Sequence, residues 1–152
     1  MTTIVTFPFL HHVAAFMLVA SATVELVMLR GELTLASARS LLRIDALYGA
    51  SAGVVLIAGL VRVFYTEKGS AYYFASGTFI AKMALFVTVA LLSIYPTMQF
   101  MRWRRDVKEQ RTPVLSAQRI RRIRMVLHLQ LVLLVGVILC AVLMARGVGF
   151  LG

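Results

Sequence analysis

The sequence predicts an all-α integral membrane protein, a four-helix bundle with both termini outside. Three observations lead to this fold class. Hydrophobic residues make up 61% of the 152 residues and charged residues only 14%, whereas a soluble domain usually carries about 25% charged residues. Four apolar stretches are each long enough to cross a bilayer as a helix. Finally, most basic residues lie on one side of those stretches, which orients the bundle.

Composition also excludes other classes of protein. With a mean hydropathy of +0.88, a chain of this length has more apolar surface than a soluble fold could bury. A single cysteine excludes a disulfide scaffold, and the low charge content excludes a disordered chain. We therefore treat residues 1–152 as a single transmembrane domain.

Four spans follow one another along the chain. Each must be helical, because lipid leaves no partner for unpaired backbone groups and no stretch alternates like a barrel strand. A bilayer core takes about 20 helical residues. The predicted spans are about 7–29, 46–65, 77–96 and 125–145.

Basic residues orient these spans. Of the 16 lysines and arginines, three lie between the first two spans and nine in the loop 97–124 between the last two. The positive-inside rule places both loops in the cytoplasm and both termini outside. The opposite side holds three basic residues, and Lys82 lies inside the third span. Those three are Arg62, Lys68 and Arg146.

The basic cytoplasmic loop 97–124 indicates the partners of the protein. It contains nine basic residues and only two acidic ones, Asp106 and Glu109, so it carries +7 of the net charge of +10. Basic residues beside a membrane attract anionic headgroups, at about 1 kcal/mol each. The expected partner is therefore a lipid bilayer with anionic headgroups, and no nucleic acid.

Small residues predict which helices pack together. Gly49 and Gly53 form a small-xxx-small pattern in the second span, a pattern that lets helix backbones approach closely in lipid. The first span offers matching small residues in Ala14, Ser21 and Ala22. A connection of about sixteen residues joins these spans, and we expect them to be neighbours.

An outer polar layer is the main candidate site. His11 and His12 begin the first span, Arg62 ends the second, and Lys82 lies about a turn and a half into the third. No acidic residue in the spans lies at this depth. Such a layer predicts an anion site, for haem propionates, a quinone head group or a carboxylate metabolite. Alternatively, Arg62 snorkels to the headgroups and the histidines are merely interfacial.

Haem would give the histidines a role, since imidazole is a common axial ligand. We expect haem b as the cofactor, with His11 or His12 as the iron ligand. The position opposite is then filled by Lys82 or a methionine, or is left open. His128 lies about 20 Å away, too far to ligate the same iron.

An inner polar cluster forms the second layer. It comprises Glu25, Asp45, Tyr48 and His128, close to the cytoplasmic ends of the spans. An ionisable group within a membrane is costly unless it is paired. We therefore predict that Glu25 and His128 lie within hydrogen-bond or one-water reach. A purely structural hydrogen bond is the alternative to a functional one.

Four stretches resemble the bacterial membrane family called domain of unknown function 2214, over nearly the whole chain. This resemblance implies a multi-pass protein of the bacterial inner (plasma) membrane and no particular activity. The stretches are Leu29–Thr34, Gly59–Phe64 with Glu67–Gly69, Phe79–Phe86 and Leu91–Thr97.

More distantly, the chain resembles four-helix haem-containing protoporphyrinogen oxidases and copper-resistance D-type membrane proteins. Those families place a histidine early in the first span, matching His11 or His12, and a lysine in the third, matching Lys82. This chain has Met28–Gly31 where they have a proline-containing basic motif. Apart from this difference, the resemblance implies a shared architecture and a shared haem site.

Three classes of function follow from these features. The first is a haem b-binding redox protein or oxidase. The second is a small proton-coupled permease using Glu25, His128 and Lys82, which requires a homo-oligomer because four unbroken helices make a poor transporter. The third is a structural or assembly protein whose polar residues only order the bundle.

Overall fold

A computed structural model describes residues 2–65 and 69–149 of the chain and confirms the all-α class. Lys68, one of the basic residues used to orient the spans, lies outside the described residues. The described part contains four long helices and one short helix. They are α1 Thr2–Met28, α2 Leu35–Tyr65, α3 Gly69–Phe74, α4 Gly77–Lys108 and α5 Ala117–Ala145.

All four long helices are long and apolar enough to cross a membrane. Large apolar side chains on their outward faces are more than half exposed, as lipid-facing residues are expected to be. Together these features make the protein a multi-pass membrane protein with a helical bundle, as predicted. Examples of the exposed side chains are Phe9, Phe16, Ile57, Leu91 and Val135.

Three helices extend further at the basic end than the predicted spans. Helix α2 begins at Leu35, α4 continues to Lys108, and α5 begins at Ala117. The loop 97–124 is therefore mostly helical, and only Glu109–Ser116 connects α4 to α5. Arginine and lysine are good helix formers, so these helices continue past their apolar parts.

The α1–α2 connection is correspondingly short. It comprises Leu29–Thr34, six residues and not about sixteen. Thr34 and Ser37 close it with reciprocal bonds, because the Thr34 Oγ1 accepts from the Ser37 amide at 3.1 Å and the Ser37 Oγ accepts from the Thr34 amide at 2.8 Å. This capping fixes the start of α2.

The bundle consists of two antiparallel hairpins, α1–α2 and α4–α5, that pack side by side through α2 with α4 and α1 with α5. The start of α4 meets the segment that follows α5, where the Gly77 amide donates to the Gly149 carbonyl at 2.9 Å. We name the end with the start of α1 the outer end and the opposite one the inner end. This naming follows the positive-inside argument.

Two hydrophobic clusters hold the four helices together. The inner cluster lies near the inner end and includes the fully buried Phe100, whose ring meets Trp103 edge-on at 5.1 Å. The middle cluster lies further out. The inner cluster is Leu26, Leu29, Ala38, Leu41, Phe100, Trp103, Ile123 and Leu127. The middle cluster is Leu18, Ala22, Tyr48, Val89 and Leu134.

The predicted contact between α1 and α2 is confirmed. The two glycines expected to form it, Gly49 and Gly53, do not take part in it. A Cβ added at Gly49 or Gly53 would meet no atom within 4 Å, so neither glycine faces a neighbouring helix. At Gly59 a Cβ would meet the His11 imidazole at 3.4 Å. Small residues of α1, among them Ala14 and Ala22, are buried as expected.

Candidate functional site

A cavity of about 510 Å³ lies at the outer end, and all four long helices line it. Its walls are aliphatic and aromatic, as in pockets for small molecules and cofactors. Three polar residues interrupt this apolar lining: His11, His12 and Lys82. The structure thus places three of the four residues of the outer polar layer around one cavity.

His11 connects α1 to α2. Its ring is half-buried, and its Nδ1 lies 3.0 Å from the Val55 carbonyl oxygen. Because a carbonyl can only accept, Nδ1 is the donor, and in the neutral ring Nε2 then keeps its lone pair. An imidazole fixed in this way is typical of metal ligands, which donate their other N–H to a carbonyl or carboxylate.

His12 differs from its neighbour, although both line the cavity. It is exposed, and its Nδ1 lies 2.6 Å from the Pro8 carbonyl oxygen of its own helix. The two rings meet edge-on, with centroids 5.9 Å apart. Only His11 is held by a second helix, so it is the histidine that faces the bundle.

Lys82 has an aromatic partner that the sequence reasoning missed. Its Nζ lies 5.3 Å from the centroid of the Phe79 ring, within cation–π range. Phe79 is buried and stands three residues before Lys82, on the same face of α4. The three-residue spacing of Phe79 and Lys82 in the sequence could have predicted this contact. The contact partly offsets the cost of a cation at this depth.

Arg62 lies beside the cavity and is not one of its lining residues. It is close enough to interact electrostatically with both His11 and Lys82. Among the described residues, no group of three or more histidine, cysteine, aspartate and glutamate side chains forms a metal site.

At the inner polar cluster the structure brings together three of the four predicted residues. Glu25, Asp45 and Tyr48 are 1%, 8% and 5% exposed. Glu25 interacts electrostatically with Asp45, and Tyr48 does so with both carboxyls. These three side chains form a buried group between α1 and α2.

The direct hydrogen bond predicted between Glu25 and His128 is not formed. His128 is exposed, and no hydrogen bond joins the two side chains. The buried face of α5 runs through Leu127 and Gln130, and one residue along a helix turns the side chain by about 100°. His128 instead lines a groove at the inner end. Its other lining residues are Leu26, Arg30, Arg121, Arg124 and Met125.

Sequence reasoning also missed two polar residues near this group. The Thr97 hydroxyl of α4 donates to Asp45 Oδ1 at 2.7 Å. Gln130 of α5 is completely buried, with its Nε2 3.4 Å from the Val89 carbonyl oxygen. An amide inside an otherwise apolar span was a signal for Gln130. Nothing in the sequence distinguished Thr97 from other membrane threonines.

The fold and the cavity define a class: a multi-pass membrane protein with a ligand-sized cavity among four helices. Comparison with known families goes one step further. The chain belongs to the family described as predicted membrane protein (DUF2214), whose model matches residues 4–149. Searches of curated proteins and of solved structures find no match.

Proposed function

We propose that the outer cavity binds an amphipathic cofactor with anionic groups, haem b, and that the protein is a haem-binding redox protein. The observation that carries this proposal is the His11 imidazole, whose Nδ1 is held by Val55 so that Nε2 is free to ligate. The bound haem would supply one-electron chemistry.

The shape and charge of the cavity support this proposal. Its volume of about 510 Å³ falls within the range of about 300–1,000 Å³ typical of ligand sites. Its apolar walls suit a porphyrin ring. Lys82 and Arg62 would meet the propionates in charge-assisted hydrogen bonds. Lys82 and Met83 both line the cavity, and either one could face His11 as a second iron ligand.

An absorption spectrum with haem titration tests the proposal. The wild-type protein, purified after expression with ample haem, is expected to show a Soret band that changes on reduction. His11→Ala should abolish that band or shift it strongly. His12→Ala is the matched control, since His12 lines the same cavity but bonds only within its own helix, and it should keep the band.

Two further variants separate ligands from counter-ions. Arg62→Ala should weaken haem retention without moving the band. Lys82→Ala should move the band if Lys82 is a ligand, and should lower only the affinity if it is a counter-ion. A wild-type protein that purifies colourless and takes up no haem would contradict the proposal, and the ligand would then be sought among quinones and anionic metabolites.

For the inner end we propose contact with anionic headgroups in a bacterial inner membrane, with both termini outside. The groove around His128 supports this, because Arg30, Arg121 and Arg124 line it with no acidic residue among the lining residues. Basic grooves between membrane helices are typical sites for lipid phosphates. Replacing Arg121 and Arg124 by glutamine should reduce the anionic lipid that co-purifies, whereas Arg104→Gln, outside the groove, should not.

A further inference from the structure

A polar layer lies where the inner and middle hydrophobic clusters meet, and it has no role in the proposed haem site. Each of the four long helices contributes to it. On α1, Glu25 lies between Leu26 of the inner cluster and Ala22 of the middle cluster. On α5, Gln130 lies between Leu127 of the inner cluster and Leu134 of the middle cluster. The layer consists of Ser21, Glu25, Asp45, Tyr48, Thr97 and Gln130.

Two carboxyl groups share this layer. Glu25 of α1 and Asp45 of α2 are 1% and 8% exposed, and their carboxyl groups lie within electrostatic range of each other. Two ionised carboxylates that share a buried, low-dielectric layer repel each other, and each loses its hydration. Both cannot carry a charge unless a cation compensates them.

No such cation is present in the part of the chain that the structure describes. The ion pairs there lie at the α4–α5 connection and involve Asp106 and Glu109. On each long helix, the basic residue nearest to Glu25 and Asp45 in sequence or depth is exposed, and His128 is exposed as well. Tyr48 is the other titratable group that faces the two carboxyls. These exposed basic residues are Arg30, Arg43, Arg102 and Arg124.

Unpartnered polar atoms in the same layer also indicate a small donor. Ser21 Oγ, Glu25 Oε1 and Gln130 Oε1 are fully buried and make no hydrogen bond with any described residue. Ser21 stands one turn before Glu25 on the same face of α1. The carboxyl and amide oxygens of Glu25 and Gln130 are acceptors, whereas the Ser21 hydroxyl can also donate. Buried polar atoms without partners are rare in native proteins, and each requires a physical explanation.

We infer that Glu25 and Asp45 form a proton-binding site that holds one proton within the membrane at neutral pH. A proton removes one of the two charges and supplies an O–H donor to a layer rich in free acceptors. It resides on Glu25, which is the more buried and has an acceptor atom without a donor. Asp45 is the ionised partner, because Thr97 donates a hydrogen bond to it.

Infrared spectroscopy of the purified protein in lipid nanodiscs tests this inference. We expect a carboxylic-acid C=O stretching band at neutral pH that shifts in D2O and corresponds to one group per protein. Glu25→Gln should remove it, since the amide resembles the protonated acid in shape but lacks its band. Asp45→Asn should shift the band by changing the neighbour of Glu25. Glu32→Gln is the control, because Glu32 is exposed in the α1–α2 connection, and should leave the band unchanged.

The wild-type protein alone also decides the question. Isotope labelling of glutamate carboxyls should shift the band without any substitution, so a variant that fails to fold does not block the test. Spectra are recorded with and without Na⁺. Absence of the band at neutral pH, a band that glutamate labelling leaves unmoved, or a band that appears only without Na⁺ would each overturn the inference. The last outcome would assign the pair to a metal cation.

Discussion

The Thr97–Asp45 hydrogen bond offers the sharpest prediction about the inner polar layer. Thr97→Val keeps the shape of the side chain and removes the hydroxyl that donates to Asp45 Oδ1 at 2.7 Å. A hydrogen bond between neutral groups of two membrane helices is worth about 0.6 kcal/mol on average, whereas one to a charged group is worth about 1.5–3 kcal/mol. If Asp45 is ionised, we expect the variant to lose about 1.5 kcal/mol or more at neutral pH.

The cost of Thr97→Val should depend on pH. As the pH falls, Asp45 gains a proton and accepts a weaker bond, so the free-energy cost of Thr97→Val should fall toward about 0.6 kcal/mol. The assay is reversible unfolding in mixed micelles with increasing SDS, run at several pH values. Thr88→Val is the control, because the Thr88 hydroxyl bonds only the Ala84 carbonyl of its own helix, at 2.8 Å. A small cost at every pH would refute an ionised Asp45.

Three other predictions test topology, the cavity and the core. A cysteine replacing the exposed Ser116, in a cysteine-free background, should be shielded from impermeant reagent in intact cells; labelling from outside would reverse the orientation. Gly59→Leu should lower haem uptake at least tenfold in titration, because its Cβ would already contact the His11 ring at 3.4 Å and the rest of the side chain would occupy space in the cavity, while unfolding stays near wild type. Phe100→Ala should cost about 3–5 kcal/mol in the SDS titration, against about 0.5 kcal/mol or less for the exposed Met101→Ala.

The number and order of the membrane helices were predictable from the sequence, and their inner ends were not. Apolar length is a direct signal, because lipid forces each apolar stretch into a helix. Where the helix leaves the membrane, that constraint disappears. Leu35 and Lys108 therefore bound helices that run well beyond the predicted spans, and capping by Thr34 and Ser37 sets one of these ends.

The rotation of each helix about its axis was harder to predict from the sequence than the positions of the helices. In a soluble protein the polar face shows which side turns outward, but lipid is as apolar as a protein core. Intramembrane charge still identified Lys82 and Glu25 as inward-facing positions, but did not decide between His11 and His12. His128 was misplaced because the residues directly beside it, Leu127 and Leu129, are both apolar and do not show which face of α5 turns inward. For the same reason Gly49 could not be distinguished from a packing glycine.

The two polar layers are far enough apart to act almost independently. His11 and Glu25 are fourteen residues apart on α1, or about 21 Å along the helix, and the middle hydrophobic cluster lies between them. At an effective dielectric constant of about 20, unit charges at that separation interact by about 0.8 kcal/mol. A change of one charge in the outer cavity would thus alter proton affinity at Glu25 and Asp45 about fourfold at most. The infrared band and the haem spectrum therefore report on separate sites, and the failure of either inference leaves the other standing.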